Sequence, residues 1–213
     1  RTTRQLALTE AGSNYYRQAL ALLEQYQAMV DDVTGGQSSP RGILRLSAPV
    51  TFGEMTLSPL LPKFLQRYPE LQIDLRLTNA AIDMLEEGID VRIRIGGVDD
   101  SSMIARQLGS FPLLLCASPA YIGQYGMPSA PEDIASHLCI IDSNFRIGKQ
   151  WLIISSQGVA DTVRVNSQIA VNSPQAVREI AIAGGGIGMI PAFIVEDAIK
   201  DGRLLRVLPD CTT

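Results

Sequence analysis

The sequence predicts an α/β protein in which one long helix precedes alternating strands and helices. Two observations indicate this class. Between residues 9 and 34, apolar residues recur at alternating steps of four and three, the heptad spacing of a helix with one apolar face. From residue 42 onward, short apolar strands alternate with helical segments, a pattern typical of parallel strands joined by helical crossovers. Because 46% of the 213 residues are hydrophobic, the chain can build the core of one large domain or of two small lobes.

Charge and cysteine content argue against several classes of function. The formal net charge of −4 is opposite to that of a protein body wrapped in nucleic acid. Cys116, Cys139 and Cys211 lie far apart and form no CxxC pair, so they are predicted to be reduced structural thiols. Neither a metal site nor a cofactor is expected. No signal peptide opens the chain, and no apolar run approaches the length of a membrane span.

The first helix is the longest predicted element. Thr9 is its predicted N-cap, and a helix over 9–34 would be about 39 Å long. An apolar face of this length needs a partner in water. A second copy of the same helix fits so long a rod better than the body of its own chain does. Two glycines at 35–36 end the helix, and 37–42 form a polar linker.

A short apolar strand beginning at Ile43 then leads directly into a second helix. Between them, Pro49 prevents further strand pairing, and Thr51 is available as an N-cap. In open α/β sheets the carboxyl ends of the strands and the N-termini of the helices face the ligand crevice. Ser47, Thr51 and Phe52 are therefore predicted to line a small-molecule site.

The later elements follow the same alternation. Before residue 118 they are a strand at 71–77, a short helix at 80–87, a strand at 90–96, and a broken strand at 104–108 and 113–117 that could pass between lobes. After it they are a helix at 118–126, a helix from 129, a strand at 139–141, a hairpin of 151–154 with 163–165, a helix capped by Ser173, a strand at 187–190, a helix at 191–200 and a strand at 204–208.

The glycine-rich segment 184–188 resembles a phosphate loop only superficially. Met189 stands where the third glycine of GxGxxG belongs, and the helix precedes the strand instead of following it. A helix C-cap followed by a tight turn explains the glycines better.

Catalytic constellations are missing from the sequence pattern. His137 is the single histidine and has no cysteine or carboxylate at ligand spacing, so a structural or surface role is favoured. No serine lies in GxSxG, and the acidic pairs at 86–87 and 99–100 are adjacent residues whose side chains diverge. We therefore do not expect an enzyme.

Polar side chains at predicted strand ends and helix starts are the candidate binding residues. Either each one caps its own element or together they form one site. They are Ser47, Thr51, Ser101, Ser102, Asn144 and Ser173. Arg94 could meet a ligand carboxylate or pair with Asp99 or Asp100.

Taken in order, these segments resemble the LysR-type transcriptional regulators. The matching motifs span the whole chain: RTTR at 1–4, LTEAG at 8–12, LRLSAPVTFG at 44–53, FLQRYP at 64–69, RIG at 94–96, DSSMIARQLG at 100–109, CASPAY at 116–121 and GGIGMIP at 185–191. One such motif would be weak, whereas the ordered set is highly specific.

The resemblance implies an architecture of two Rossmann-like lobes of periplasmic-binding-protein type, at 42–110 and 111–208, with a small effector between them. Residues 9–36 would be a linker helix that pairs antiparallel with its mate in a dimer or tetramer. Residues 1–8 would be a remnant of a winged helix-turn-helix, where Arg1 and Arg4, otherwise solvated, could contact DNA phosphates. The implied effector contacts are Ser47, Thr51, Phe52, Gly96, Ser102, Asn144 and Ser173.

The predicted function is thus that of the effector-sensing and oligomerisation fragment of a bacterial, cytoplasmic DNA-binding regulator. Its implied partners are a small-molecule effector, promoter DNA through a helix-turn-helix domain, and further copies of itself. The family also continues with a return strand and a final helix beyond the position of Thr213, so a truncated C-terminal end is expected. The alternative is a periplasmic-type solute-binding protein serving a transporter, which would not need the heptad face.

Overall fold

The computed structural model of this chain describes residues 9, 11–12, 14–16, 18–19, 22–23, 26, 40–80, 83–96, 104–145, 147–155 and 158–213. The chain divides into two compact units. One contains the residues up to Leu44 together with Pro62–Asp74, and the other contains Arg45–Leu61 together with Leu75–Thr213.

The described residues between 11 and 26, in the first unit, are helical. The Gly12 amide donates to Thr9 Oγ1 at 3.1 Å, which confirms Thr9 as the N-cap. The side chains of Tyr15, Leu22 and Tyr26, on the heptad face, are exposed. The predicted pairing of this face with a second copy remains a prediction, and the rest of the predicted helix lies outside the described residues, as do segments 1–8 and 35–39.

The first sheet has three strands in the order β2-β1-β3. They are β1 (Gly42–Ala48), β2 (Leu71–Leu77) and β3 (Val91–Arg92), and β1 and β3 run parallel with Leu46 opposite Val91. β1 and β2 are connected by successive helical turns of α, π, 3-10 and α type: α1 (Val50–Phe52), Gly53–Leu57, Ser58–Leu60 and α2 (Leu61–Arg67).

Thr51 does not cap this helical run, contrary to the prediction. The run begins at Val50, directly after Pro49, so Thr51 lies inside the first turn. The cap comes from elsewhere in the chain, because Asn79 Oδ1 accepts the Val50 amide at 3.0 Å.

Three predicted elements in the middle of the chain differ from the structure. The described part of 80–87 forms turns instead of a helix, because Asp83 Oδ1 accepts the amides of Leu85 and Glu86. β3 stops at Arg92 instead of 96, since its partner β1 ends just before Pro49. Residues 104–112 are not a strand, and no described residue pairs with them in a sheet.

The second sheet has five strands in the order β10-β4-β9-β5-β8. Neighbouring β9, β5 and β8 are parallel, whereas β4 is antiparallel to both β9 and β10. The strands are β4 (Leu113–Ala117), β5 (Leu138–Asp142), β8 (Asn166–Val171), β9 (Ile187–Pro191) and β10 (Leu205–Arg206). β8 was not predicted, because it is an edge strand with a largely exposed, polar sequence, and β10 is shorter than the predicted 204–208.

Apolar layers cover both faces of the second sheet. One face carries α4 (Pro174–Ile182) and α5 (Ala192–Lys200), and the other carries α3 (Pro119–Tyr125), the 3-10 helix Pro131–Ser136 and the predicted hairpin of β6 (Gln150–Ile154) with β7 (Ala160–Arg164). Alternation along β4 serves both layers: Leu115 and Ala117 join the core around Trp151, whereas Cys116 joins the core beneath the helices.

The glycine-rich segment caps α4, as predicted. The Gly184 amide donates to the Ala181 carbonyl at 3.1 Å and the Gly185 amide to the Ile180 carbonyl at 2.9 Å, which is a Schellman motif. Gly184 has a φ of +86°, and Gly186 has a φ of +137°.

The described ranges contain no helix that is both long enough and apolar enough to cross a membrane. In the same ranges, no three His, Cys, Asp or Glu side chains gather as a metal-binding group would require.

Candidate functional site

A cavity of about 540 Å³ lies in the second unit, where strand ends meet helix starts. Its volume is in the range of small-molecule sites in proteins. Its lining residues are Pro49, Thr51, Phe52, Thr78, Asn79, Arg92, Ile93, Arg94, Ile95, Gly96, Asp142, Asn144, Phe145, Pro174, Pro191, Phe193 and Ile194.

Aromatic rings form an apolar wall of this cavity. Pro49 ends β1, so that the chain turns into α1 and carries Phe52 to the lining. The Phe52 ring packs edge-on against Phe193 at the start of α5, with 5.9 Å between ring centroids. Phe193 also packs against Phe111 at 4.9 Å. These contacts fix the orientation of the rings and provide a flat, weakly hydrated surface for a ligand.

The amide side chain of Asn79, which follows β2, connects two backbone segments beside the cavity. Its Oδ1 accepts the Val50 amide at 3.0 Å, and its Nδ2 donates to the Asn172 carbonyl at 3.5 Å. One side chain thus fixes both the start of α1 and the loop that leads into α4.

Arg92, the last residue of β3, and Arg94, two residues beyond it, give the cavity a positively charged side. Arg92 Nη2 donates to the Ala80 carbonyl at 3.0 Å. Burial lowers the pKa of Arg92, and the neighbouring Arg94 lowers it further, whereas Glu87 opposes both effects. A guanidinium remains charged despite such a shift, so an anion here would relieve the repulsion between the two arginines.

A buried carboxylate lies at the end of β5. Asp142 is 6% exposed, and its Oδ1 accepts both the backbone amide of Asn144 at 2.9 Å and the side-chain amide of Asn144 at 2.8 Å. Burial raises the pKa of Asp142, and the two hydrogen bonds from Asn144 partly offset this effect.

The first turns of three helical segments also reach the cavity. Phe52 lies in the first turn after β1, Pro174 begins α4, and Phe193 lies in the first turn of α5. The helix dipole favours negative charge at such ends, although the Val50, Ala176 and Ala192 amides already donate to Asn79 Oδ1, Ser173 Oγ and the Pro112 carbonyl. Together with the arginines and the aromatic wall, they suit a small organic anion.

Five of the predicted site residues line this cavity: Thr51, Phe52, Arg94, Gly96 and Asn144. Two others lie nearby without lining it. Ser47 is buried in β1, where its carbonyl accepts the Ile93 amide at 2.7 Å. Ser173 caps α4 by accepting the Ala176 amide at 3.3 Å. Ser101, Ser102, Arg1 and Arg4 lie outside the described residues.

Several lining residues were missed by the sequence analysis, among them Asn79, Arg92, Asp142 and Phe193. Asn79 lies two residues beyond the predicted strand 71–77 and Asp142 directly follows the predicted strand 139–141, so the strand-end argument that selected Asn144 could have found them. Phe193 carries no such signal, because an apolar residue on an amphipathic helix is ordinarily part of the core.

His137 lies in the hydrophobic layer around Tyr121 and does not line the cavity. Its Nδ1 is 3.3 Å from the Tyr121 hydroxyl, which also accepts the Leu138 amide at 2.9 Å. This arrangement agrees with the structural role favoured from the sequence.

Comparison with known proteins identifies the family. The LysR substrate binding domain family matches residues 37–213. The HTH-type transcriptional regulator CrgA of Neisseria meningitidis serogroup C is 30% identical over 213 residues, covering 100% of this chain and 71% of that protein. The HTH-type transcriptional activator AaeR of Escherichia coli K12 is 32% identical over 209 residues, covering 98% of this chain and 67% of that protein.

Solved structures agree with this assignment. The full-length virulence activator AphB of Vibrio cholerae superposes with a TM-score of 0.72 at 29% identity, covering 100% of this chain and 72% of that one. The structure of CrgA gives a TM-score of 0.71 at 29% identity, with coverages of 100% and 72%. The expected periplasmic-binding-protein-like fold is therefore confirmed, whereas the lobe limits at 42–110 and 111–208 remain predictions. These relatives are transcriptional regulators, so they do not support the alternative of a solute-binding protein serving a transporter. This chain belongs to the LysR family of transcriptional regulators and contains an effector-binding domain over most of its length.

Proposed function

We propose that the cavity binds a small anionic metabolite and that its occupation sets the activity of the regulator on DNA. The observation that carries the proposal is that Arg92 and Arg94 line the same cavity as three helix starts and the aromatic wall. An arginine–carboxylate pair in a partly desolvated site gains about 1.5–3 kcal/mol, which corresponds to roughly 10- to 100-fold in affinity.

Most of the residues proposed to contact the ligand line the cavity. Arg94 binds the anionic group, the Phe52 ring packs against the ligand body, and Thr51, Gly96 and Asn144 provide polar contacts. Ser101 and Ser102 are proposed as further contacts from the family resemblance. Ser47 and Ser173 act indirectly, by fixing β1 and the start of α4.

Regulation would proceed by population shift. An effector that binds only one arrangement of the protein, present at about 100 times its dissociation constant, favours that arrangement by about 2.7 kcal/mol. This is enough to change the populations of two states of similar energy about 100-fold.

The proposed function also includes an oligomeric assembly and contacts with DNA. The heptad face of 9–36 would pair with a second copy in a dimer or tetramer, because its described aromatic and leucine side chains are exposed. Promoter DNA would be read by a helix-turn-helix domain, with Arg1 and Arg4 at phosphates. We place this regulator in the cytoplasm and assign it no catalytic activity.

Isothermal titration calorimetry of this chain against a panel of small carboxylates tests the site. We expect saturable binding that Arg94→Ala weakens about 10- to 100-fold. Arg164→Ala removes an exposed arginine of β7 that does not line the cavity and is the matched control. Equal dissociation constants for wild type and Arg94→Ala would refute the assignment of the anion site.

A further inference from the structure

We propose that Asp142 makes this cavity selective for effectors that carry a hydrogen-bond donor, a hydroxyl or an ammonium group, in addition to their anionic group. The proposal rests on the proposed function, since it assumes that the cavity is the effector site. It names the chemical class of the effector: hydroxylated or amino-substituted carboxylic acids with a small apolar body.

The charges of the cavity are of both signs. Among the described lining residues, Arg92 and Arg94 are the cations and Asp142 is the one carboxylate. A ligand with an anionic group alone would satisfy the arginines but leave the carboxylate facing an uncharged, apolar part of the same molecule. A ligand with a donor as well meets both requirements.

The hydrogen bonds of Asp142 leave one of its oxygens available. Both donors of Asn144 bond to Oδ1, and no described donor bonds to Oδ2. Among the described residues, the buried side-chain atoms without a partner are Gln175 Oε1 and Arg178 Nε, so Oδ2 retains contact with open space. Because Asp142 is 6% exposed and lines the cavity, that space is the cavity itself.

Asn144 acts as a positioning residue for this carboxylate. Its two bonds, at 2.9 and 2.8 Å, hold Oδ1 in place and thereby direct Oδ2. The geometry explains why Asn144 is itself part of the lining: it fixes the acceptor that the ligand meets.

The energetic consequence is discrimination against ligands without a donor. Asp142 is buried, so its ionised form is poorly solvated here and its pKa is raised. A ligand that fills the cavity removes the remaining water from Oδ2. A donor replaces that water, whereas an apolar group leaves a desolvated acceptor unpaired, and sites of this kind reject the wrong analogue strongly.

Matched probes test this selectivity directly. 4-Hydroxyphenylacetate and 4-fluorophenylacetate have similar shape and the same carboxylate, and their rings suit the wall formed by Phe52 and Phe193. 3-Hydroxyphenylacetate and 3-fluorophenylacetate place the substituent at a second position on the ring. We expect at least one hydroxylated probe to bind wild type about 10-fold or more tightly than its fluoro analogue in calorimetry. Equal affinities of both pairs for wild type would overturn the proposal without any variant being needed.

The variant Asp142→Asn provides a second test of this selectivity. An asparagine whose oxygen accepts from Asn144 turns an NH₂ group toward the cavity. The hydroxylated probe can then interact only through its oxygen as an acceptor, so its advantage over the fluoro analogue should shrink. Asp161→Asn, an exposed aspartate of β7 away from the cavity, should leave the preference unchanged. Retention of the full preference in Asp142→Asn would contradict our assignment, and a merely structural role would weaken both probes equally.

The outcomes also separate the two proposals. If both probes of a pair bind equally and Arg94→Ala weakens both, the anion site stands and the role of Asp142 falls. If neither the hydroxylated nor the fluorinated acids bind wild type at millimolar concentration, both proposals fail.

Discussion

Replacing Gly186 with alanine should destabilise the fold far more than the same change at Gly184 or Gly123. At Gly186 the backbone has a φ of +137°, and an added Cβ would lie 2.4 Å from the Leu138 carbonyl oxygen and 3.0 Å from its carbon. Both neighbours are backbone atoms at the start of β5, where Cys139 pairs with Ile187. The strand therefore has to move if the methyl group is to fit.

The magnitude follows from two separate costs. A side chain at such a φ costs about 1–3 kcal/mol, and overpacking against a fixed neighbour costs about 1–3 kcal/mol more. We therefore expect Gly186→Ala to lower the free energy of unfolding by roughly 2–6 kcal/mol, a large part of the 5–15 kcal/mol typical of a domain.

Two other glycines separate these costs. Gly184 has a φ of +86°, but its added Cβ would meet only Ser118 Oγ, at 3.7 Å, so Gly184→Ala should cost about 1–2 kcal/mol through the backbone alone. Gly123 lies in α3 with open space around it, and alanine there should stabilise by about 0.5–1 kcal/mol.

Urea unfolding followed by the fluorescence of Trp151 measures all three variants. Trp151 is the single tryptophan and is buried in the core, so its emission reports the loss of that packing. Midpoints should shift at constant slope. A free energy of unfolding of Gly186→Ala within about 0.5 kcal/mol of wild type would contradict the predicted clash with Leu138. An equal loss of stability in Gly184→Ala would contradict it as well.

Asp142, Ser173 and the cysteines give three further predictions. The folded-state pKa of Asp142 lies above its unfolded value of about 3.9, so the stability from its protonated form is present below that pH and lost as pH rises through the folded-state pKa. The urea midpoint of wild type minus that of Asp142→Asn should fall as pH rises over that range. A difference between the two midpoints that does not change with pH would contradict this prediction. Ser173→Ala should lower the free energy of unfolding by about 1 kcal/mol and Ser173→Asp should retain it, since both serine and aspartate cap helices; equal midpoints would disprove the cap. Burial raises the pKa of Cys116 and of Cys139 to about 12, so a thiol reagent at pH 8 should label Cys211 first, and rapid labelling of all three would show that the core is open.

The elements predicted well from the sequence are those whose ends are set by local chemistry. Ser118 and Ser173 cap α3 and α4 through bonds to residues three positions ahead, and Gly184 ends α4. These interactions involve neighbours in sequence, so the sequence contains both partners.

The elements predicted poorly depend on partners far along the chain. β3 is short because β1 ends just before Pro49, and β8 forms because β5 lies beside it. The cap at Val50 comes from Asn79, 29 residues away. None of these pairings leaves a periodic signal in the segment itself, so local pattern alone cannot place them.

The same distinction applies to the site. Asn144 was found because it follows the predicted strand at 139–141, and Arg94 because its guanidinium could meet a ligand carboxylate. Asp142 was missed because it lies just beyond that predicted strand, although it ends β5 in the structure. The wall formed by Phe52 and Phe193 joins two helix starts 141 residues apart. Only the folded backbone brings these rings together.

The bonds of Asn79 have a consequence for substitutions at its partner positions. Both of its partners are main-chain groups, the Val50 amide and the Asn172 carbonyl. Substitution at position 172 leaves a carbonyl in place, and at position 50 any residue except proline leaves an amide. The connection therefore depends on the amide side chain at position 79 and not on which side chains stand at positions 172 and 50, proline at position 50 excepted. Neither hydrogen bond contains a titratable group, so lowering the pH to values at which a histidine becomes protonated would not break the connection.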